Sequence, residues 1–282
     1  MTKEELEDEV DRTEVVTTEA ERSSARDAAP KSSLVIYEVI RKDGLEELAR
    51  PPAALIWSGI AAGILISFSV LGEATLRSYL PDAPTSYLIE NLGYSLGFLL
   101  VILSRMQLFT ENTITTVLPF MVSPSLKLLG KVLSLWGIVL AANLVGAFAA
   151  AAVMAQTAAI SPDVVAAIRA LSEHATGMGA WQGFVRGIPA GVLIAAIVWM
   201  IPQARASAFW IIVVFTWLIA AGDFTHIVAG SVEMAFLMLE GSLGLADAAF
   251  GFFLPVLAGN VVGGTAIFAL LVWGQVRSEI VE

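Results

Sequence analysis

The 282-residue chain contains no cysteine, which excludes disulfides, thiolate metal sites and a cysteine nucleophile. It has only two histidines, His174 and His226, too few for a His-rich metal centre. No cofactor or metal is expected. Charge is scarce: 15% of residues are charged against 57% hydrophobic, with a mean hydropathy of +0.77. That composition belongs to a protein crossing a membrane many times, not to a soluble domain. The little charge present is net acidic, −10, and no basic patch points to nucleic acid. His226, Asp223, Glu233 and Ser231 lie close in sequence, but no nucleophile motif or paired-metal spacing accompanies them. The chain does not read as an enzyme.

Residues 1–33 are rich in Glu, Thr, Ser and Ala. They lack the apolar content to offset ordering entropy, and so read as a disordered acidic tail. Residues 34–50 place Leu34, Val35, Tyr37, Val39, Ile40, Leu45 and Leu48 among charges. That pattern suits an amphipathic helix at the membrane surface, or an ordinary solvated helix. Residues 51–282 form the transmembrane domain, opening at Pro51 and Pro52. Apolar runs at about 53–76, 87–121, 126–159, 181–201, 209–239 and 250–276 predict six transmembrane spans in an all-α membrane protein. Lys31, Arg41, Lys42, Arg50, Lys127, Lys131, Arg205 and Arg277 fall on one side. Arg77 and Arg169 fall on the other, beside Asp82, Asp163, Glu173, Glu240 and Asp247. The Lys/Arg-rich side is expected to be cytoplasmic, with both termini inside.

Two of the six runs are interrupted. In the fifth, Gly222 and Gly230 bracket His226, with Asp223 and Glu233 nearby, where hydrocarbon should be continuous. Polar groups at membrane depth line bundle interiors or pathways, and irregular backbone there must be buried or face a cavity. His226 is therefore a candidate for the middle of a substrate pathway; the other reading is a packed, hydrogen-bonded histidine. Ser104 to Thr113 breaks the second run in the same way. The halves, about 53–159 and 181–277, match in order. Gly59 and Gly63 match Gly187 and Gly191, Phe109-Thr110 match Phe224-Thr225, and Asn143 and Gly146 match Asn260 and Gly263. Three spans per repeat require opposite topologies, an inverted repeat with its site between two broken helices. Asn143 and Asn260 are expected to hydrogen-bond between helices and hold the breaks in shape.

Taken together, Leu108-Phe109-Thr110, the stretch Gly222 to His226, the Asn143–Gly146 segment and the Gly259–Gly264 segment resemble the formate/nitrite transporter family, in a divergent branch. The resemblance covers about 53–277. It implies an aquaporin-like fold, a homopentamer with one pore per protomer, and passage of small monovalent anions or their conjugate acids across an inner membrane. Carried over, the central pore histidine is His226, facing Thr110, and the apolar constrictions are Leu108, Phe109 and Ile219. Phe224 and Thr225 flank the histidine. This chain departs from the family in having Thr225 and Gln107 where glutamate is common, and Gly191 where an asparagine is common. Arg105, Glu111, Arg186 and Asp223 are charges at or near membrane depth: either pore-lining groups that draw anions in, or structural ion pairs. The physical logic is that a bare anion crosses apolar constrictions only at high cost. A neutral acid does not, and His226 can lend or bias a proton at the narrow point. An aquaporin-like pore for neutral small solutes is the alternative.

Overall fold

The structure, a computed structural model, describes residues 18–81 and 83–280. The tail expected at 1–33 falls partly outside these residues, as does Asp82. It divides into two units, 1–32 and 33–282. In the first, α1 spans Glu19–Ala28. Thr18 caps it: Glu21 Oε2 accepts from both the Thr18 N–H and its hydroxyl.

The second unit is all-helical among the described residues. It opens with α2 (Ser33–Ala49), which buries Ile36, Tyr37, Ile40 and Gly44. Pro52 starts α3 (Pro52–Tyr79), where its fixed φ and absent N–H suit the first helical turn. The next apolar run is α4 (Pro84–Glu90), a 3₁₀ turn over Asn91–Tyr94, and α5 (Ser95–Leu103). After a break come α6 (Phe109–Thr115) and α7 (Val117–Val122). Ser125 caps α8 (Leu126–Gln156), accepting from the Leu128 N–H at 3.1 Å. The polar connection holds a full helix, α9 (Pro162–Thr176). It is followed by α10 (Ala180–Met200), α11 (Ala208–Ala221), a second break, and α12 (Ile227–Leu239). The last apolar helix, α13, runs over Asp247–Val276 with π-type turns at Asp247–Phe253 and Val262–Ala269. Five of these segments are long and apolar enough to cross a membrane: α3, α4 through α5, α8, α10 and α13; α11 and α12 are shorter apolar helices.

Two close helix crossings, α3 on α8 and α10 on α13, repeat one device. A Cβ at Gly63 would lie 2.1 Å from the Asn143 carbonyl oxygen, and one at Gly263 would lie 2.1 Å from the Ile188 carbonyl oxygen. Backbone-to-backbone contact at that range leaves room only for hydrogen, the small-residue packing that replaces hydrophobic driving force in lipid.

The two breaks share one geometry. Arg105 and Asp223 both take left-handed φ, 54° and 56°. Each ends its helix with the same pair of bonds. Arg105 N–H donates to the Ile102 carbonyl and Met106 N–H to the Val101 carbonyl. Asp223 N–H donates to the Ala220 carbonyl and Phe224 N–H to the Ile219 carbonyl. This is a Schellman-type stop, held here by non-glycine residues at a cost of about 1–2 kcal/mol each. The equivalence corrects the alignment expected from sequence. Phe109-Thr110 do not correspond to Phe224-Thr225. Arg105 corresponds to Asp223, Gln107 to Thr225, Leu108 to His226 and Phe109 to Ile227, three residues further on. The Phe-Thr match was a coincidence of composition; hydrogen bonding sets the register.

Candidate functional site

Two asparagines fasten the breaks. Asn143 Oδ1 accepts from the Phe109 N–H at 2.9 Å, while its Nδ2 donates to the Gly59 and Gln107 carbonyls, both at 2.9 Å. Asn260 Oδ1 accepts from the Ile227 N–H at 2.8 Å, and its Nδ2 donates to the Gly187 and Thr225 carbonyls at 2.9 and 2.8 Å. Both side chains are 0% exposed. Each amide satisfies backbone groups that a broken helix leaves without partners, and it ties the break to the crossing helix of its own repeat.

His226 occupies the N-cap of α12, and Leu108 the equivalent N-cap of α6. The His226 ring accepts the Ala229 N–H at Nδ1, 3.2 Å away, and its Nε2 lies 2.8 Å from Thr110 Oγ1. With Nδ1 occupied as an acceptor, the proton of a neutral imidazole sits on Nε2 and is donated to Thr110. Phe98 meets the ring edge-on at a centroid distance of 5.0 Å. Leu108, Phe109 and Ile219 are buried, and Phe109 packs edge-on against Trp136. Of the predicted residues, His226 and Thr110 are brought into contact, while Leu108, Phe109 and Ile219 belong to the large buried apolar core. Thr225 is turned away: its hydroxyl donates to the Gly183 carbonyl at 2.7 Å.

A cavity is lined by residues of each break. The first, about 60 Å³, is narrow and reaches His226, Thr225 and Phe224 past Asp223 and His174. The second, about 680 Å³, is lined by Arg105, Gln107, Glu111 and Thr115 together with the α2 residues Asp43, Glu46 and Glu47.

The four predicted charges divide. Arg186 is ion-paired with Asp223, which also accepts from His174 Nε2 at 2.9 Å; both hold the second break to its neighbours. Arg105 pairs with Asp43 at 3.6 Å, with its side chain largely exposed. Glu111 lines the wide cavity, its carboxylate in no hydrogen bond or ion pair among the described residues.

Sequence reasoning missed Glu47, whose carboxylate accepts from Thr115 Oγ1 at 2.5 Å, Asn112 Nδ2 at 3.1 Å and Gln107 Nε2 at 3.5 Å. Through it α2 is fastened to the first break, and Tyr37 adds a bond to the Leu118 carbonyl at 2.9 Å. Burial pushes the Glu47 carboxyl above its ordinary range, with the three donors opposing. Its only sequence signal was a glutamate on the apolar side of a surface helix. Glu73 and Tyr94 were missed as well. Glu73 lies inside the first apolar run, where a charge is itself a signal.

A chain of two halves, each with a half-helix pair broken at an asparagine-clamped loop, has the architecture of a membrane channel or transporter. A family model described as "Formate/nitrite transporter" matches residues 34–274, and the chain belongs to that family. It is 41% identical over 274 residues to the inner membrane protein YfdC of Escherichia coli (strain K12), covering 96% of this chain and 88% of that protein. It is 26% identical over 270 residues to the formate channel FocA of Haemophilus influenzae, covering 83% of this chain and 92% of that one. Among solved structures, an "FNT family ion channel" superposes with a TM-score of 0.76 at 18% identity, covering 86% of this chain and 99% of that one. A "pentameric formate channel with formate bound" gives 0.68 at 21% identity, covering 84% and 99%; at these identities the likeness is one of fold. The chain is a multi-pass membrane protein of a channel family.

Proposed function

We propose that the chain conducts small monovalent anions or their conjugate acids, formate- or nitrite-like, past His226. The observation that carries this reading is the Thr110–His226 pair set within an otherwise apolar plug. A bare anion entering that plug loses its hydration at a cost of several kcal/mol. A species that accepts the Nε2–H of His226 in place of Thr110, and is neutral or nearly so, does not. Because Nδ1 is already bonded to the Ala229 N–H, His226 acts as a neutral hydrogen-bond donor at the narrow point. A second ring proton would break that cap.

In this reading α11 and α12 cross the membrane together as the fifth of six spans. The protomers form a homopentamer in the cell's inner membrane; one fold relative is described as pentameric. Both termini face the cytoplasm, on the side of the wide cavity and of Lys127, Lys131 and Arg205. The reading of a pore for neutral solutes is separated from this one by flux.

The test is His226→Asn reconstituted in liposomes. Asn keeps hydrogen-bonding capacity without the ring's reach to both Thr110 and the Ala229 N–H. Weak-acid anion uptake per assembled protomer should fall about tenfold, the equivalent of one hydrogen bond near 1.4 kcal/mol. Unchanged uptake by well-assembled His226→Asn refutes the role given to the histidine.

A further inference from the structure

The narrow cavity beside His226 holds more than the plug requires. Glu73 from α3 and Glu233 from α12 both line it. They lie near enough to repel one another electrostatically. Neither makes a hydrogen bond or an ion pair with a described residue. The cations around them are committed elsewhere. Arg77 of α3 pairs with Glu90 of the α4–α5 run. Arg186 of α10 and His174 of α9 both pair with Asp223 of the break, and Arg169 of α9 pairs with Glu240. Here α13 contributes only Phe252. Arg77, the one cation acting on Glu73, is shared with Glu90, so three carboxylates face a single positive charge.

A second, independent feature points to a ligand in the same space. Tyr94 is 7% exposed and lines this cavity, yet its hydroxyl has no hydrogen-bond partner among the described residues. That hydroxyl is left open at the cavity wall, free to donate to whatever occupies it. The volume, about 60 Å³, is several times what a single water needs and suits an occupant of a few heavy atoms.

We propose that Glu73 and Glu233 are a proton-loading subsite, at which a small monovalent anion of a weak acid, held by the Tyr94 hydroxyl, is protonated before it passes His226. This rests on the weak-acid reading above. Two carboxylates sharing one water-poor cavity do not both stay ionised; a proton is kept between them. When the anion arrives, an O–H bond of the pair breaks and one forms on the anion. The pair is left doubly ionised and takes its next proton from water at the mouth beside His174 and Asp223. The neutral acid crosses the plug and releases its proton to water in the wide cavity. No electron is transferred, and charge balances at each step.

The subsite is tested in the full-length protein with Glu73→Gln/Glu233→Gln and with each single substitution. Formate uptake into liposomes is measured across a pH series and normalised to assembled protein, with infrared difference spectra of the same preparations. Wild-type uptake should rise as pH falls. The double variant should lose that rise and take up about tenfold less at the acidic end. Wild type should show a C=O stretch of a protonated carboxyl that the double variant loses, over and above any band from Glu47, which both retain. If the double variant does not assemble, the singles carry the test, since each leaves one carboxylate with no partner to share a proton. Formate uptake with an unchanged pH profile in the variants, or no variant-sensitive carboxyl band in wild type, overturns the subsite alone. Wild type that takes up no weak-acid anion overturns the weak-acid reading itself, and the subsite with it.

Discussion

Replacing Asn260 with alanine should weaken the assembled fold by about 2–5 kcal/mol. The side chain is 0% exposed and makes three hydrogen bonds of 2.8–2.9 Å, to the Ile227 N–H and the Gly187 and Thr225 carbonyls. Polar contacts inside membrane bundles average about 0.6 kcal/mol each and reach about 1.7, because the unfolded chain in the membrane also finds partners. Three lost bonds therefore span about 2 to 5 kcal/mol. The upper end applies here, since the Ile227 N–H and Thr225 carbonyl belong to a break with no helical partner to take over. Against a total stability of order 5–15 kcal/mol, that is a large fraction. Asn143→Ala removes the corresponding three bonds and should cost the same within about 1 kcal/mol. The assay is reversible unfolding of each variant in lipid nanodiscs beside wild type. An Asn260→Ala protein as stable as wild type, or a severe loss at one asparagine with none at the other, refutes the account of how the breaks are held.

Glu47 makes the docking of α2 pH-dependent. Burial raises its folded-state pKa above the ordinary 4.5, so its contribution is fully present below the unfolded value and is lost as pH rises through the folded one. Hydrogen-exchange protection of Ser33–Ala49 should therefore fall with rising pH in wild type but not in Glu47→Gln; a matching pH dependence in both contradicts this. Gly63→Val drives a Cβ to 2.1 Å from the Asn143 carbonyl and should abolish assembly, whereas Gly137→Ala, with nothing within 4 Å, should leave it intact; size-exclusion profiles of the two decide. Deleting residues 1–32, a separate unit, should leave the yield of assembled protein and basal flux unchanged, as measured in the same liposomes.

The parts of this architecture that were legible in the sequence were those with a strong local signal. Long apolar runs gave the helices to within a few residues: α3 was expected at 53–76 and spans Pro52–Tyr79. The His226 and Ser104–Thr113 interruptions gave the two breaks, because polar groups inside such runs have few other causes. Their register was not legible. Phe-Thr recurs in both breaks, but equivalence is set by the left-handed Arg105 and Asp223 and by the amide clamps of Asn143 and Asn260, all contacts at long sequence separation. The segment between the third and fourth apolar runs, too polar to register as a span, forms the 15-residue α9. Glu47 and Tyr94 were hidden as well. A glutamate on a surface helix and a tyrosine in an apolar run look ordinary until folding brings one to Thr115 and the other to Glu73 and Glu233.

The central claim is that a weak acid, and not a neutral solute, passes the His226 plug. It is tested most directly by flux into liposomes bearing the wild-type chain, with formate, nitrite, acetate, lactate, hydrosulfide, glycerol and water compared over a range of pH. The account predicts uptake of one or more of the small monovalent anions that increases as external pH falls, with little glycerol or water flux. Rapid water or glycerol flux independent of pH, with no anion uptake at any pH, contradicts it.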